Sequence, residues 1–157
     1  MATWSEFESA APEMAAAGRK LLYQYGMVGL AFLATVRKDG APRLHPVSPT
    51  ILEDTLYVLI GDSHKRRDLE RDGRYVLHTL PPRDVDDEFL VMGHAARVLE
   101  ALRVETARAH YRSRGMTLSD EDLLFAFSIE RAMHAKYPGG HGTWPPKYTV
   151  WRSDDLP

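Results

Sequence analysis

The sequence has no cysteine among its 157 residues. That absence excludes disulfide staples, thiolate metal centres and a cysteine nucleophile. Neither sign of charge dominates: 20 Lys and Arg stand against 22 Asp and Glu, a net charge of −2. A general nucleic-acid binder carries a basic excess, so nucleic acid is not an expected partner. No apolar run is long enough to span a bilayer. The start, Met1-Ala-Thr-Trp-Ser-Glu-Phe-Glu8, lacks the basic head and apolar block of an export signal. The expectation is a soluble, cytoplasmic chain with no membrane contact. His-Glu-x-x-His, Gly-x-Ser-x-Gly and Walker patterns are all missing. His64, His94, His110 and His134 have no metal-ligand spacing, so no metal is expected.

What is present reads as one domain over 1–157, long enough for a real core. Pro12 suits a first helical turn, and Met14, Leu21, Leu22 and Tyr25 supply an apolar stripe. A helix over 12–25, stopped at Gly26, is expected. The period then changes. Gly29 to Arg37 is apolar on both faces, as in a buried strand. Asp39-Gly40 makes a hairpin turn, and Arg43 to Ser48 returns, with Pro46 and Pro49 fixing an edge or a bulge. Further strands are expected at 56–60, 75–80, 89–98 and 147–151, with alternation over Phe125, Phe127 and Ile129. Helices are expected at 65–72 and 100–112, the latter packing through Leu102, Ala109 and Tyr111. Ser119-Asp-Glu-Asp122 resembles a capping box that opens another short helix. Pro138 to Gly142 is a loop. Six or seven strands with few helices indicate a closed or nearly closed antiparallel barrel with peripheral helices.

The most informative stretch is Ser63-His-Lys-Arg-Arg-Asp-Leu69, directly after Leu56-Tyr-Val-Leu-Ile60-Gly61. A strand ends at a glycine, and a hydroxyl and three cations open a helix. Unpaired N–H groups there, with Lys65, Arg66 and Arg67, suit a phosphate. Arg66 and Arg67 cannot both point inward. The same stretch also reads as a solvated basic loop.

Leu33 to Ser48, Leu56 to Ile60, Ser63 to Leu69 and Arg74 to His78, in that order, resemble the pyridoxamine 5′-phosphate oxidase-like, flavin-binding split-barrel superfamily. The likeness covers about Ala10 to Val98. It implies a mainly β fold: a six-stranded, antiparallel, Greek-key split β-barrel that forms a homodimer. Two FMN sites would lie in clefts shared by the subunits. It implies Arg43, His45, Pro46 and Val47 at ring or phosphate contacts. Val58, Leu59 and Ile60 would meet the ring edge through main chain, and Ser63, Lys65 and Arg66 would hold the phosphate.

Other residues keep two readings. Arg43 is a cofactor contact or a surface partner of Glu53 or Asp54. His78 lies in the barrel or towards a partner subunit, as a core histidine or a functional one. Trp144, Tyr148 and Trp151 cover a flavin from the neighbouring chain, or serve core and interface. His141 is a surface residue or a haem or metal ligand. Asp84, Asp86, Asp87 and Glu88 form a solvated turn or a cation site. The chain is shorter than true pyridoxamine-phosphate oxidases, and its tail lacks their substrate-binding Arg and His, so vitamin B6 oxidation is not expected. The implied function is an FMN-dependent oxidoreductase acting on a small molecule. Alternatives are a deazaflavin (F420)-dependent reductase and a non-enzymatic flavin- or haem-binding protein. Flavin chemistry needs little acid–base help from protein, so a missing catalytic dyad excludes none of them.

Overall fold

In the computed structural model, residues 1–155 are described. The chain order is α1 (Trp4–Ala10), α2 (Pro12–Leu22), β1 (Ala31–Val36), β2 (Pro42–Val47), β3 (Pro49–Leu52) and β4 (Thr55–Ile60). Then follow α3 (His64–Arg71), β5 (Arg74–Thr79), β6 (Glu88–Arg97), α4 (Ala101–Ser113), β7 (Leu123–Lys136) and β8 (Lys147–Arg152). A short 3₁₀ turn, Ser153–Asp155, ends the described chain. The remaining tail residues of the sequence, Leu156 and Pro157, lie outside it.

All pairings are antiparallel, in the order β2-β1-β5-β6-β7-β4-β3, with β8 added to β7. The two ends of that order, β2 and β3, are separated in the chain by Ser48 alone. The sheet therefore curls until both its edges are halves of one bent strand, which is a split barrel. The expected six barrel strands are recovered when β2 and β3 count as one. The structure nonetheless has eight strands, because the bend at Ser48-Pro49 breaks the ladder and β8 extends β7 outside the barrel. Pro49 has no N–H to give, so the ladder changes partner there. The strand Pro49–Leu52 was not expected. It pairs with β4 across a tight turn in which Glu53 has φ 54°.

Local chemistry explains the elements. Thr3 Oγ1 accepts from the Glu6 N–H, and Glu6 Oε2 accepts from the Thr3 N–H at 2.7 Å. This capping box starts α1, an element the expectations omitted. Pro12 opens α2, as expected, but the helix ends at Leu22. Gly18 lets α2 approach the sheet: a Cβ there would stand 2.4 Å from the Phe89 ring. Trp4, Phe7, Phe89 and Trp151 pack edge-to-face and tilted beneath the two helices. The expected helix at Ser119 does not form. Arg108 of α4 donates to the carbonyls of Ser119 (2.9 Å) and Asp122 (3.2 Å), which a helix would need, and β7 starts at Leu123.

The core fills the barrel with Leu33, Leu77, Val91, Phe125, Phe127 and Ile129. A bulge at Glu130 lets β7 change parity, so that Ile129 and Ala132 both point inward. A second cluster lies under α4, where Ala107 meets Tyr57 and Leu124. Of the residues expected to pack from α4, Tyr111 is buried. Leu102 and Ala109 are exposed because α4 turns its other face to the sheet. Among the described residues no helix is long and apolar enough to cross a membrane.

Candidate functional site

The bent strand, the end of β4 and the start of α3 bring five of the twelve expected residues to one cleft. Val47 and Pro46 at the end of β2, Leu59 and Ile60 at the end of β4, and Lys65 of α3 line one cleft of about 210 Å³. Tyr111 and the segment Met116–Leu118 form its opposite wall. Val58 lies one step deeper in β4 and is fully buried, paired in register with Pro49 and Phe125.

Tyr111 fixes the shape of this cleft. Its hydroxyl, 2.7 Å from the Ser48 carbonyl and 3.2 Å from that of Tyr57, ties the bend to β4 and α4. Burial pushes its phenol well above the usual range, so it stays a neutral donor. At the mouth, Ser63 caps α3 by accepting from the Arg66 N–H at 3.4 Å, and its own hydroxyl donates to the Gly61 carbonyl. The N–H groups of His64 and Lys65 precede the first intrahelical acceptor and face no helical partner.

The cations divide sharply. Arg66 is held by Asp62 (2.8 Å) and the Glu121 carbonyl (2.9 Å), and Arg67 by Asp62 (2.9 Å). Among the described residues Lys65 has neither an ion pair nor a side-chain hydrogen bond. Asp122 also lines the cleft, but its Oδ2 accepts from the Ser119 N–H at 2.8 Å and it forms no ion pair with Lys65.

On the other side of the α3 start lies a groove of about 560 Å³ lined by Arg37, Arg43, His64, Arg67 and Arg71. Its anchor is Asp68, only 3% exposed. Asp68 Oδ2 accepts from Arg43 Nε at 2.6 Å and Thr35 Oγ1 at 3.0 Å, and Oδ1 accepts from Arg71 at 3.3 Å. Burial alone would raise this carboxyl, but the bonds from Arg43, Thr35 and Arg71 bring it below the ordinary range. Arg43 thus pairs with Asp68, not with Glu53 or Asp54. Among the described residues only its Nε is engaged. His45, exposed, sits on β2 between Arg43 and Val47. His64 and Lys65, adjacent in sequence, line one cavity each.

Two expected residues lie elsewhere. His78 stands on the outer face of the sheet, its Nδ1–H donating to the Thr79 carbonyl at 2.6 Å. Trp144 lies on the loop before β8, 77% exposed, and lines neither cavity. Of its companions, Trp151 is buried in the core and Tyr148 is exposed. His141 bridges Asp86 (2.5 Å) and the Arg83 carbonyl, and among the described residues no group of His, Asp and Glu could hold a metal ion. Sequence reasoning missed Tyr111, Met116–Leu118 and Asp68 as site residues. Their signal is absent because a helix and a loop reach the cleft only through the chain's fold.

No family model and no curated protein matches the chain. Solved structures do. A heme binding protein from Mycobacterium smegmatis is 17% identical with a TM-score of 0.64, over 88% of this chain. This chain spans 58% of that protein's length. A protein related to general stress protein 26, of the pyridoxinephosphate oxidase family, from Clostridium acetobutylicum is 11% identical with a TM-score of 0.65, over 90% of this chain and 95% of that one. HupZ of Group A Streptococcus is 19% identical with a TM-score of 0.62, over 79% and 92%. The antiparallel order, the bent strand that joins its two edges and these superpositions together assign the chain the pyridoxamine 5′-phosphate oxidase-like split-barrel fold.

Proposed function

We propose that the chain binds FMN as a homodimer and serves as a flavin-dependent oxidoreductase on a small molecule. The observation that carries this reading is Lys65, an uncommitted ammonium in a cleft at the start of α3, where the neighbouring Arg66 and Arg67 are both held by Asp62. A phosphate dianion supplies the missing partner. The free N–H groups of His64 and Lys65 and the unengaged Nη groups of Arg43 add donors from the groove side. When bound, FMN supplies the redox chemistry. The chain's part is to hold the phosphate, present strand backbone at Leu59 and Ile60, and shut out water with Tyr111 and Met116–Leu118.

The cleft is small: about 210 Å³, below the roughly 300–1,000 Å³ of ordinary ligand sites. It takes the phosphate and its neighbouring atoms, and the ring needs more wall. A second copy supplies it. Across the outer face of the sheet runs one register row, Pro46, Phe32, His78, Leu90, Met133 and Val150. Five of these are apolar, and none is fully buried. Leu44, Ala34, Val76 and Met92 form the next row. Such a face, open in one protomer, is what an interface between copies requires. Pro46 belongs to both the row and the cleft, so the cleft meets the proposed interface.

Titration with FMN, followed by flavin fluorescence, tests this. Lys65→Ala should weaken binding by about 1.5–3 kcal/mol, roughly 10- to 150-fold, the worth of a charge-assisted bond. Unchanged affinity removes Lys65 from the site. Light scattering should give a dimer. The same titration with F420 and with haem separates the other readings, since one of the structural relatives is a heme binding protein. A protein that takes up haem or F420 and ignores FMN overturns the proposal.

A further inference from the structure

A larger cavity than either of those at α3 lies elsewhere. It measures about 790 Å³ and lies between α2 and the loop that joins β5 to β6. Lys20, Leu21 and Tyr25 line it from α2 and the turn after it, Arg83 and Asp87 from the loop, and half-buried His134 and exposed Lys136 from β7. A second cavity of about 340 Å³ adjoins it, sharing Ala17, His134 and Lys136 and adding Lys147 and Thr149. Neither shares a residue with the cleft that holds Lys65.

The rim of the paired cavity carries two exposed lysines, and half-buried His134 lies beside them. Lys136 of β7 and Lys147 of β8 stand directly opposite each other in register, next to the pair His134 and Thr149. Like charges facing each other across an antiparallel pair are destabilising. Neither is offset: Lys20, Lys136 and Lys147 form no ion pair or side-chain hydrogen bond among the described residues. The acids nearby do not answer them. Asp87 accepts from the Tyr137 N–H at 2.8 Å, while Asp84 and Glu13 line the outer parts of the two cavities without an ion pair. His134, half-buried, is held below its usual pKa, by burial first and by Lys136 second, against the pull of Asp87. A neutral imidazole there offers one donor and one acceptor. Ala17, Leu21 and Tyr25 add an apolar wall.

We infer that this paired cavity is a second ligand site, built for a small organic anion with an apolar body. Its acid group sits between Lys136, Lys147 and Lys20, and its body lies along α2. Carboxylate and phosphate ligands share that chemistry. The test uses 2-naphthoate and 2-naphthyl phosphate as probes, 2-naphthamide as the neutral control, and the His134 ring protons in NMR as the reporter. Both anions should bind saturably and shift those signals, and the stronger of the two names the acid group. The amide should not bind. Lys136→Glu and Lys147→Glu should each weaken the anions by about tenfold or more. Each should leave the melting temperature level or raised, because unlike charges then face across the strands. Saturating FMN should change none of this, so failure here stays separate from failure at Lys65. The inference is overturned if neither anion saturates by about 10 mM, if the amide binds equally well, if both reversals leave binding within twofold, or if FMN displaces the probes.

Discussion

Replacing Asp68 with asparagine probes the groove at its anchor. The carboxylate is 5% exposed at the side chain and accepts from Arg43 Nε at 2.6 Å, Thr35 Oγ1 at 3.0 Å and Arg71 Nη1 at 3.3 Å. Asparagine keeps the shape but loses the charge and turns one acceptor into a donor. Removing one partner of a buried pair costs about 3–5 kcal/mol. Arg43 is 23% exposed and Arg71 37% exposed, so both regain part of their hydration, and the expected loss falls to about 2–3 kcal/mol. With a urea m-value of about 1–3 kcal/mol/M, the midpoint should fall by roughly 1 M with m unchanged. The folded-state pKa of Asp68 lies below its ordinary value of 3.8. A depressed carboxylate contributes stability above its unfolded pKa and loses it as pH falls through the folded value. The gap between parent and variant should therefore be full above about pH 4 and close on further acidification. Adding Arg43→Met to the variant should recover part of the loss, since Arg71 alone is then left without its carboxylate partner. A single-variant loss below about 0.5 kcal/mol, or a gap indifferent to pH, refutes the account of Asp68 as a buried charge held by its donors.

Tyr111→Phe removes the hydroxyl that bridges the Ser48 and Tyr57 carbonyls. It should cost about 1–2 kcal/mol in urea unfolding and loosen FMN binding, because the cleft wall and the bend lose their tie; an unaltered midpoint would contradict this. His141 latches the loop of residues 138–142 to Asp86, whose Oδ2 also accepts from the Gly142 N–H at 2.7 Å. The Arg83 carbonyl and then Asp86 hold this imidazole above 6.5, and the Gly142 N–H and then His141 hold Asp86 below 3.8. A raised histidine gives its full contribution below its unfolded pKa and loses it as pH rises through the folded value; the carboxylate does the reverse. Protection of the Gly142 amide from hydrogen exchange, corrected for intrinsic rate, should be greatest between those limits and fall as pH rises beyond the His141 value. The same protection in His141→Gln at all pH values would sink the latch.

The resemblance carried by Leu33 to His78 anticipated the split barrel, and the fold agrees. Alternation over Phe125, Phe127 and Ile129, the Asp39-Gly40 turn and the doubly apolar β1 are local signals, and each became the element it indicated. The failures also have local causes. At Ser119-Asp122 the capping pattern was real, but its carbonyls were taken by Arg108 from another element. Thr3 and Glu6 form a capping box whose two residues stand three positions apart in the sequence, so α1 has a local signal too.

By its own pattern, the sequence determined a β-rich chain without disulfides, with a cationic turn after a strand, because periodicity, turn residues and composition act between near neighbours. The tertiary structure alone decided which of the cations stays uncommitted. Arg66 and Arg67 look as available as Lys65 in the sequence, and only the approach of Asp62 engages them, while Asp68 takes the Nε of Arg43 and leaves its Nη groups. It also decided the row from Pro46 to Val150 and the facing lysines at 136 and 147. Cross-strand register joins residues as distant in the chain as Leu56 and Phe127, and no spacing along the chain encodes that meeting.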